Sequence, residues 1–106
     1  MPAPPFGPDF VFQDDAALDY VDAFRHYEEI AQRGLDFEAR VAQTLAFVRR
    51  HPEASPLATP DGVRKKLVPG YPYVVYYTRE GDGRFWVWAV AHQRRRPGYW
   101  EVRREP

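Results

Sequence analysis

The hydrophobic period of this chain changes once, and that change limits the folds open to it. From Ala16 to Gln32, Ala17, Tyr20, Val21, Phe24, Tyr27 and Ala31 recur at three- and four-residue spacing. A second stripe, Phe37, Val41, Leu45 and Val48, follows at the same period. Such spacing builds two helices with one apolar face each. After His51–Gly62, a loop with three prolines, the period falls to two. Val63–Val68, Tyr73–Arg79 and Arg84–Ala91 then read as strands, separated by Pro69-Gly70-Tyr71-Pro72 and by Glu80-Gly81-Asp82-Gly83. Ahead of the helices, Phe10-Val11-Phe12 is a short β-prone run. The order is β-α-α-β-β-β. It implies an α+β domain in which an antiparallel sheet carries a helical hairpin on one face.

Local signals place the boundaries. Asp14 or Asp15 is the expected N-cap of the first helix, and Gly34 its expected stop. Asp36 can cap the second helix, Arg49 and Arg50 suit its negative end, and Pro52 cannot continue it. About three residues join the helices, so they should run antiparallel. Residues 1–8, with four prolines, read as a flexible lead-in outside the core, and residues 9–106 as one domain.

The strand pattern carries more apolar surface than one helical layer can cover. Period two puts Phe85, Val87, Ala89 and Ala91 on one face of the last strand and Trp86, Trp88, Val90 and His92 on the other. Neither face is polar. A sheet under helices on one side is normally solvated on the other, so the surplus aromatics require cover, from the C-terminal tail or from a partner.

The 106 residues allow one domain. The absence of cysteine excludes a disulfide framework, a zinc ribbon and a thiol nucleophile. No apolar run approaches the ~20 residues that span a bilayer, and the Pro-rich N-terminus lacks the regions of a secretory signal, so a cytoplasmic location is expected. The formal net charge is zero, but residues 1–56 hold five basic and ten acidic groups and residues 57–106 hold ten basic and five acidic ones. The halves are therefore −5 and +5, as for a face built for an anionic partner.

The basic groups cluster as Arg64-Lys65-Lys66, Arg79 with Arg84, and Arg94-Arg95-Arg96, with Tyr71, Tyr99 and Trp100 close in sequence. Guanidinium groups among aromatic rings suit phosphate contact with base stacking. A solvated strand edge guarded against mispairing is the plainer reading, and both stay open. Period two sets Arg64 and Lys66 on one face and Lys65 on the other. Of the three histidines, His26, His51 and His92, only His92 stands beside three arginines. No His-x3-His spacing or cysteine pair is present, so neither a metal nor another cofactor is expected. Asp19, Asp22 and Glu29 read as the solvated face of the first helix.

Across residues 64–100 the sequence resembles the ParE branch of the RelE/ParE toxin superfamily. The resemblance rests on Arg64 on a strand, on Tyr71-Pro72-Tyr73 leading into the next strand, and on a closing His92, Arg94, Arg95, Pro97, Tyr99 and Trp100. It extends over about residues 10–103, and the Pro-rich residues 1–8 depart from it. It implies a toxin of a type II toxin–antitoxin module, held inactive by a cognate antitoxin. The residues it implies for binding target or antitoxin are Arg64, Tyr71, Tyr73, His92, Arg94, Arg95, Arg96, Tyr99 and Trp100. Two activities divide the superfamily. ParE-like members poison DNA gyrase without chemistry of their own, the reading placed first. RelE-like members cut mRNA on the ribosome, for which Arg64, Lys66, Arg79 and Arg95 would supply charge and His92 or Tyr99 proton transfer. A non-toxic antitoxin-binding relative is the third reading.

Overall fold

The structure, a computed structural model, describes residues 4–105. Strand β1 (Phe10–Phe12) leads directly into helix α1 (Asp14–Ala31), and α2 (Gly34–Arg50) folds back on it. Strands β2 (Arg64–Leu67), β3 (Tyr73–Arg79) and β4 (Phe85–His92) form a meander, and a 3-10 helix (Tyr99–Arg104) closes the chain. The order of elements is the one that the periodicity predicts. The sheet, in the order β1-β4-β3-β2, is mixed rather than antiparallel throughout. Strand β1 pairs parallel with β4, Phe10 opposite Phe85 and Phe12 opposite Val87, because the two-helix crossover returns the chain to the far edge before the meander begins.

Several boundaries differ from expectation, each for a local reason. Gln13, not an aspartate, caps α1: its side-chain carbonyl accepts from the N–H groups of Asp15 and Ala16 at 2.9 and 3.1 Å. Gln13 also donates its own N–H to the Val87 carbonyl, so strand and helix meet at this residue. The left-handed residue that ends α1 is Gln32, with φ 54°. Gly34 begins α2 instead, and close approach explains it: a Cβ there would stand 2.9 Å from the Phe24 ring. Glu28 accepts the Gly34 N–H at 3.0 Å and stitches the hairpin.

The main core lies between the helical hairpin and one sheet face. Tyr20, Phe37, Val41, Leu45 and Val48 meet Val75, Tyr77, Val87 and Val90 there, all buried. Phe6 belongs to this core, edge-on to Tyr20 at 5.1 Å, so the lead-in is not wholly outside it. Residues 1–3 of that expected lead-in lie outside the described residues.

The uniform alternation expected of β4 does not hold. Tyr76 pairs with Ala89 and Tyr77 with Val87, which leaves Trp88 as an extra residue, a β-bulge. The bulge reverses the phase: Val90 joins Phe85 and Val87 under the helices, whereas Ala89 and Ala91 turn to the other face. There Trp100 of the 3-10 helix, 2% exposed, stacks on Tyr76 at 4.7 Å and seals a second, smaller core with Val63, Ala89 and Ala91. The tail therefore covers part of the surplus apolar face.

Two outcomes test this account. Gly34→Ala should destabilise the protein by about 1–3 kcal/mol in chemical denaturation, because overpacking against Phe24 outweighs the gain in helix propensity. Asp61, which anchors Arg104 at 3.0 Å, is held at a pKa of about 2 by hydrogen bonds from Arg104 and Thr59. Its unfolded value is about 4. The folded value is depressed, so its contribution is present above about pH 4 and lost as pH falls through about 2. NMR titration of the Asp61 carboxyl in the folded protein should have its midpoint near 2, and Arg104→Ala should move that midpoint upward.

Candidate functional site

The residues singled out in the sequence divide into three groups. The first gathers where β3 begins and β4 ends, with Tyr73 opposite His92. Their rings meet edge to face at 5.2 Å. The chain then turns: Arg95 N–H donates to the His92 carbonyl, and Arg94 N–H donates to His92 Nδ1, both at 3.0 Å. With Nδ1 accepting, the neutral ring carries its proton on Nε2. The turn lays the Arg95 guanidinium over the Tyr99 ring at 4.0 Å, and Arg103 approaches the same ring at 5.3 Å. Burial raises the Tyr99 pKa above its ordinary value, and Asp19 adds to the effect.

Two concavities meet at His92, Arg95 and Tyr99. One, of about 430 Å³, opens toward α1 and includes Asp19, Asp22, His26 and Tyr73. The other, of about 520 Å³, lies mainly on the sheet face away from the helices. Its apolar part is Leu67, Val74, Tyr76 and Ala91, with Leu67 48% exposed, and Lys65, Lys66, Arg95 and Arg96 also line it. Among the described residues no carboxylate lies within ion-pair distance of Lys65, Lys66, Arg94, Arg95 or Arg96. The groove therefore combines apolar surface with uncompensated positive charge.

Of the second group, Arg64, Lys66 and Arg79, only Lys66 reaches the rim of this groove. Arg64 and Lys66 pair opposite Tyr77 and Val75 and share the helix-side face, as period two predicts. Arg64 donates to the Ser55 carbonyl at 2.8 Å, and Lys66 Nζ lies over the Phe47 ring at 4.4 Å. Arg79, opposite Phe85, stands at the far end of β3. At ~3.3 Å per residue it is about 20 Å from the Tyr73 end, and Arg64 about 13 Å.

The third group is internal. Tyr71 is 7% exposed, packed against Tyr27 and Phe37, and its hydroxyl donates to Asp36. Burial raises the Tyr71 pKa and Asp36 raises it further, while that hydrogen bond is the chief cause of the lowered Asp36 value. Tyr71 thus pins the β2–β3 turn to α2, and Trp100 seats the tail.

Two residues central to this region escaped the sequence reading. Asp19, read there as solvated, is largely buried beside Arg103, with side chains 17% and 12% exposed. Their Oδ2–Nη1 distance is 2.7 Å, and a second contact measures 3.2 Å. Asp19 also accepts the Val90 N–H at 3.1 Å, and Arg103 donates to the Trp88 carbonyl at 3.1 Å. Burial opposes the charge on Arg103, but Asp19 outweighs it and holds that guanidinium above its ordinary pKa. A signal was present: Asp19 stands three residues after Ala16 and four before Ala23, both buried, on a face of small residues with room for a partner.

Comparison with known proteins bears on this geometry. No curated protein matches the sequence. A solved chain of the chromosomal ParDE TA system from P. aeruginosa has a similar fold, with a TM-score of 0.65 at 15% identity, covering 78% of this chain and 92% of that one. The family described as ParE toxin of type II toxin-antitoxin system, parDE, matches residues 10–97. That span takes in both helices, all four strands and the turn that carries His92 and Arg95, and the chain belongs to the ParE toxin family of type II toxin–antitoxin systems.

Proposed function

We propose that this toxin acts on DNA gyrase by binding, without chemistry of its own, and that a cognate antitoxin neutralises it. The observation that supports the non-enzymatic reading is the dispersal of the groups that RNA cleavage would need. Attack by a 2′-OH requires a base, an acid and cations converging on one phosphate. Arg64 and Arg79 are directed elsewhere; Lys66 lines the groove of His92, Arg95 and Tyr99, but its ammonium lies over the Phe47 ring. In the neutral His92 ring the acceptor nitrogen is already engaged by Arg94, and the Tyr99 ring is engaged by Arg95.

An antitoxin segment has a suitable seat in the groove of Leu67, Val74, Tyr76 and Ala91. An extended peptide with apolar residues toward the sheet and acidic residues toward Lys65 and Arg96 fits both its surfaces. The solved relative named as a ParDE system supports a partner of this kind.

Purified protein should trap gyrase-cleaved DNA and slow relaxation of supercoiled plasmid; unchanged relaxation overturns the gyrase reading. Cleavage of ribosome-bound mRNA that Arg95→Ala abolishes would establish the nuclease instead. Unaffected growth on induced expression would identify a non-toxic relative. For the antitoxin seat, Lys65→Glu with Arg96→Glu should weaken antitoxin binding roughly tenfold or more in calorimetry, with a shallower salt dependence. Equal affinity would place the seat elsewhere.

A further inference from the structure

We propose that Asp19 and Arg103 form a clasp that holds the C-terminal segment on the sheet, and that its release uncovers together the unpaired edge of β4 and the apolar seat of Trp100. The geometry begins where β1 ends. The parallel ladder stops at Phe12 opposite Val87, with Gln13 N–H to the Val87 carbonyl as its last bond. Beyond it, among the described residues, the outer edge of β4 has no neighbouring strand. A neighbouring strand would offer that edge carbonyls and N–H groups. Asp19 supplies the acceptor, for Val90 N–H, and Arg103 supplies the donor, for the Trp88 carbonyl. The two side chains, 84 residues apart in sequence, replace a strand and bond to each other while doing so.

The segment is otherwise lightly attached. Its backbone hydrogen bonds outside the helical turns are local, Tyr99 to Arg96, Glu101 to Gly98 and Glu105 to Val102. Among the described residues its hydrogen bonds to other elements come from the Arg103 and Arg104 side chains. Trp100 sits by apolar contact, and its Nε1 has no partner there. Ahead of it, residues 93–97 are exposed and Gly98 takes φ 80°, so the segment can swing about this turn without breaking a strand ladder. A buried ion pair suits a clasp better than an apolar contact does. Both charges regain full hydration on opening, which offsets much of the attraction that they lose.

Amide and indole hydrogen exchange on the full chain tests this. Arg103→Met, which keeps the aliphatic stem, should accelerate exchange at the Val90 amide and the Trp100 indole by roughly tenfold or more. The Val41 amide, deep in α2, should change by no more than about twofold. Asp19→Asn should give the same local pattern, and the double variant should add little to either, as coupled partners do. Uniform acceleration that includes Val41 would mean that the pair serves overall stability alone, and unchanged exchange at Val90 and Trp100 would mean that it holds nothing. Either result overturns the clasp. If Arg103→Met does not fold, Asp19→Asn carries the same comparison.

Discussion

A strand edge exposed to water invites pairing with another chain, and among the described residues the outer edge of β4 beyond Val87 has no strand beside it. Strand β1 covers only Phe85–Val87 before the chain turns into α1. What completes the edge is an aspartate from that helix and an arginine from the last turn of the protein. The interaction ties three elements to one another: α1 cannot shift along the sheet, nor the tail leave it, without exposing peptide groups of β4. The low exposure of both side chains makes the arrangement exacting, since either charge left alone there would be costly.

The bulge at Trp88 matters for the same reason. Without it, Val90 would face away from the helices and Ala89 toward them, and the tail would find a β-branched residue where Trp100 now lies over small ones. Reversing the phase in mid-strand lets one eight-residue strand serve two cores. The first is sealed by the helices, and the second by one tryptophan. What remains uncovered is the groove beside that second core, where unpaired cations border apolar surface. The overall neutrality is thus a sum over a polarised molecule. Acidic groups of the N-terminal half pair with arginines, Asp9 with Arg49 at the surface and Asp19 with Arg103 largely buried, while among the described residues Lys65 and Arg94–Arg96 have no carboxylate at ion-pair distance.

Much of the fold was legible in the residues. The stripes from Ala17 to Val48 mark helices that must share one layer, and the meander bounds fall within a residue or two of those read from Val63, Tyr73 and Arg84. That His92, Arg95 and Tyr99 come together was legible too, because these residues follow one strand end and a single turn unites them. Arg64 and Arg79 were not separable from it by spacing, since register along β3 decides their distance. Gln13 and Gly34 show the limits of residue preference: one caps because the strand delivers it to the helix start, the other is glycine because Phe24 leaves no room.

Hydrophobic period, turn residues and charge distribution are local properties, and they determined by themselves the element order, the α+β class and the surplus of aromatic surface. The closing His-Arg-Arg-Pro-Tyr-Trp pattern determined the family resemblance in the same way. Only the tertiary structure decided the parallel docking of β1, the bulge, the burial of Trp100 and the pairing of Asp19 with Arg103. Each of these joins groups far apart in sequence. Whether a carboxylate on a helix is solvated or buried depends on what arrives opposite it, and here that is an arginine from the other end of the chain.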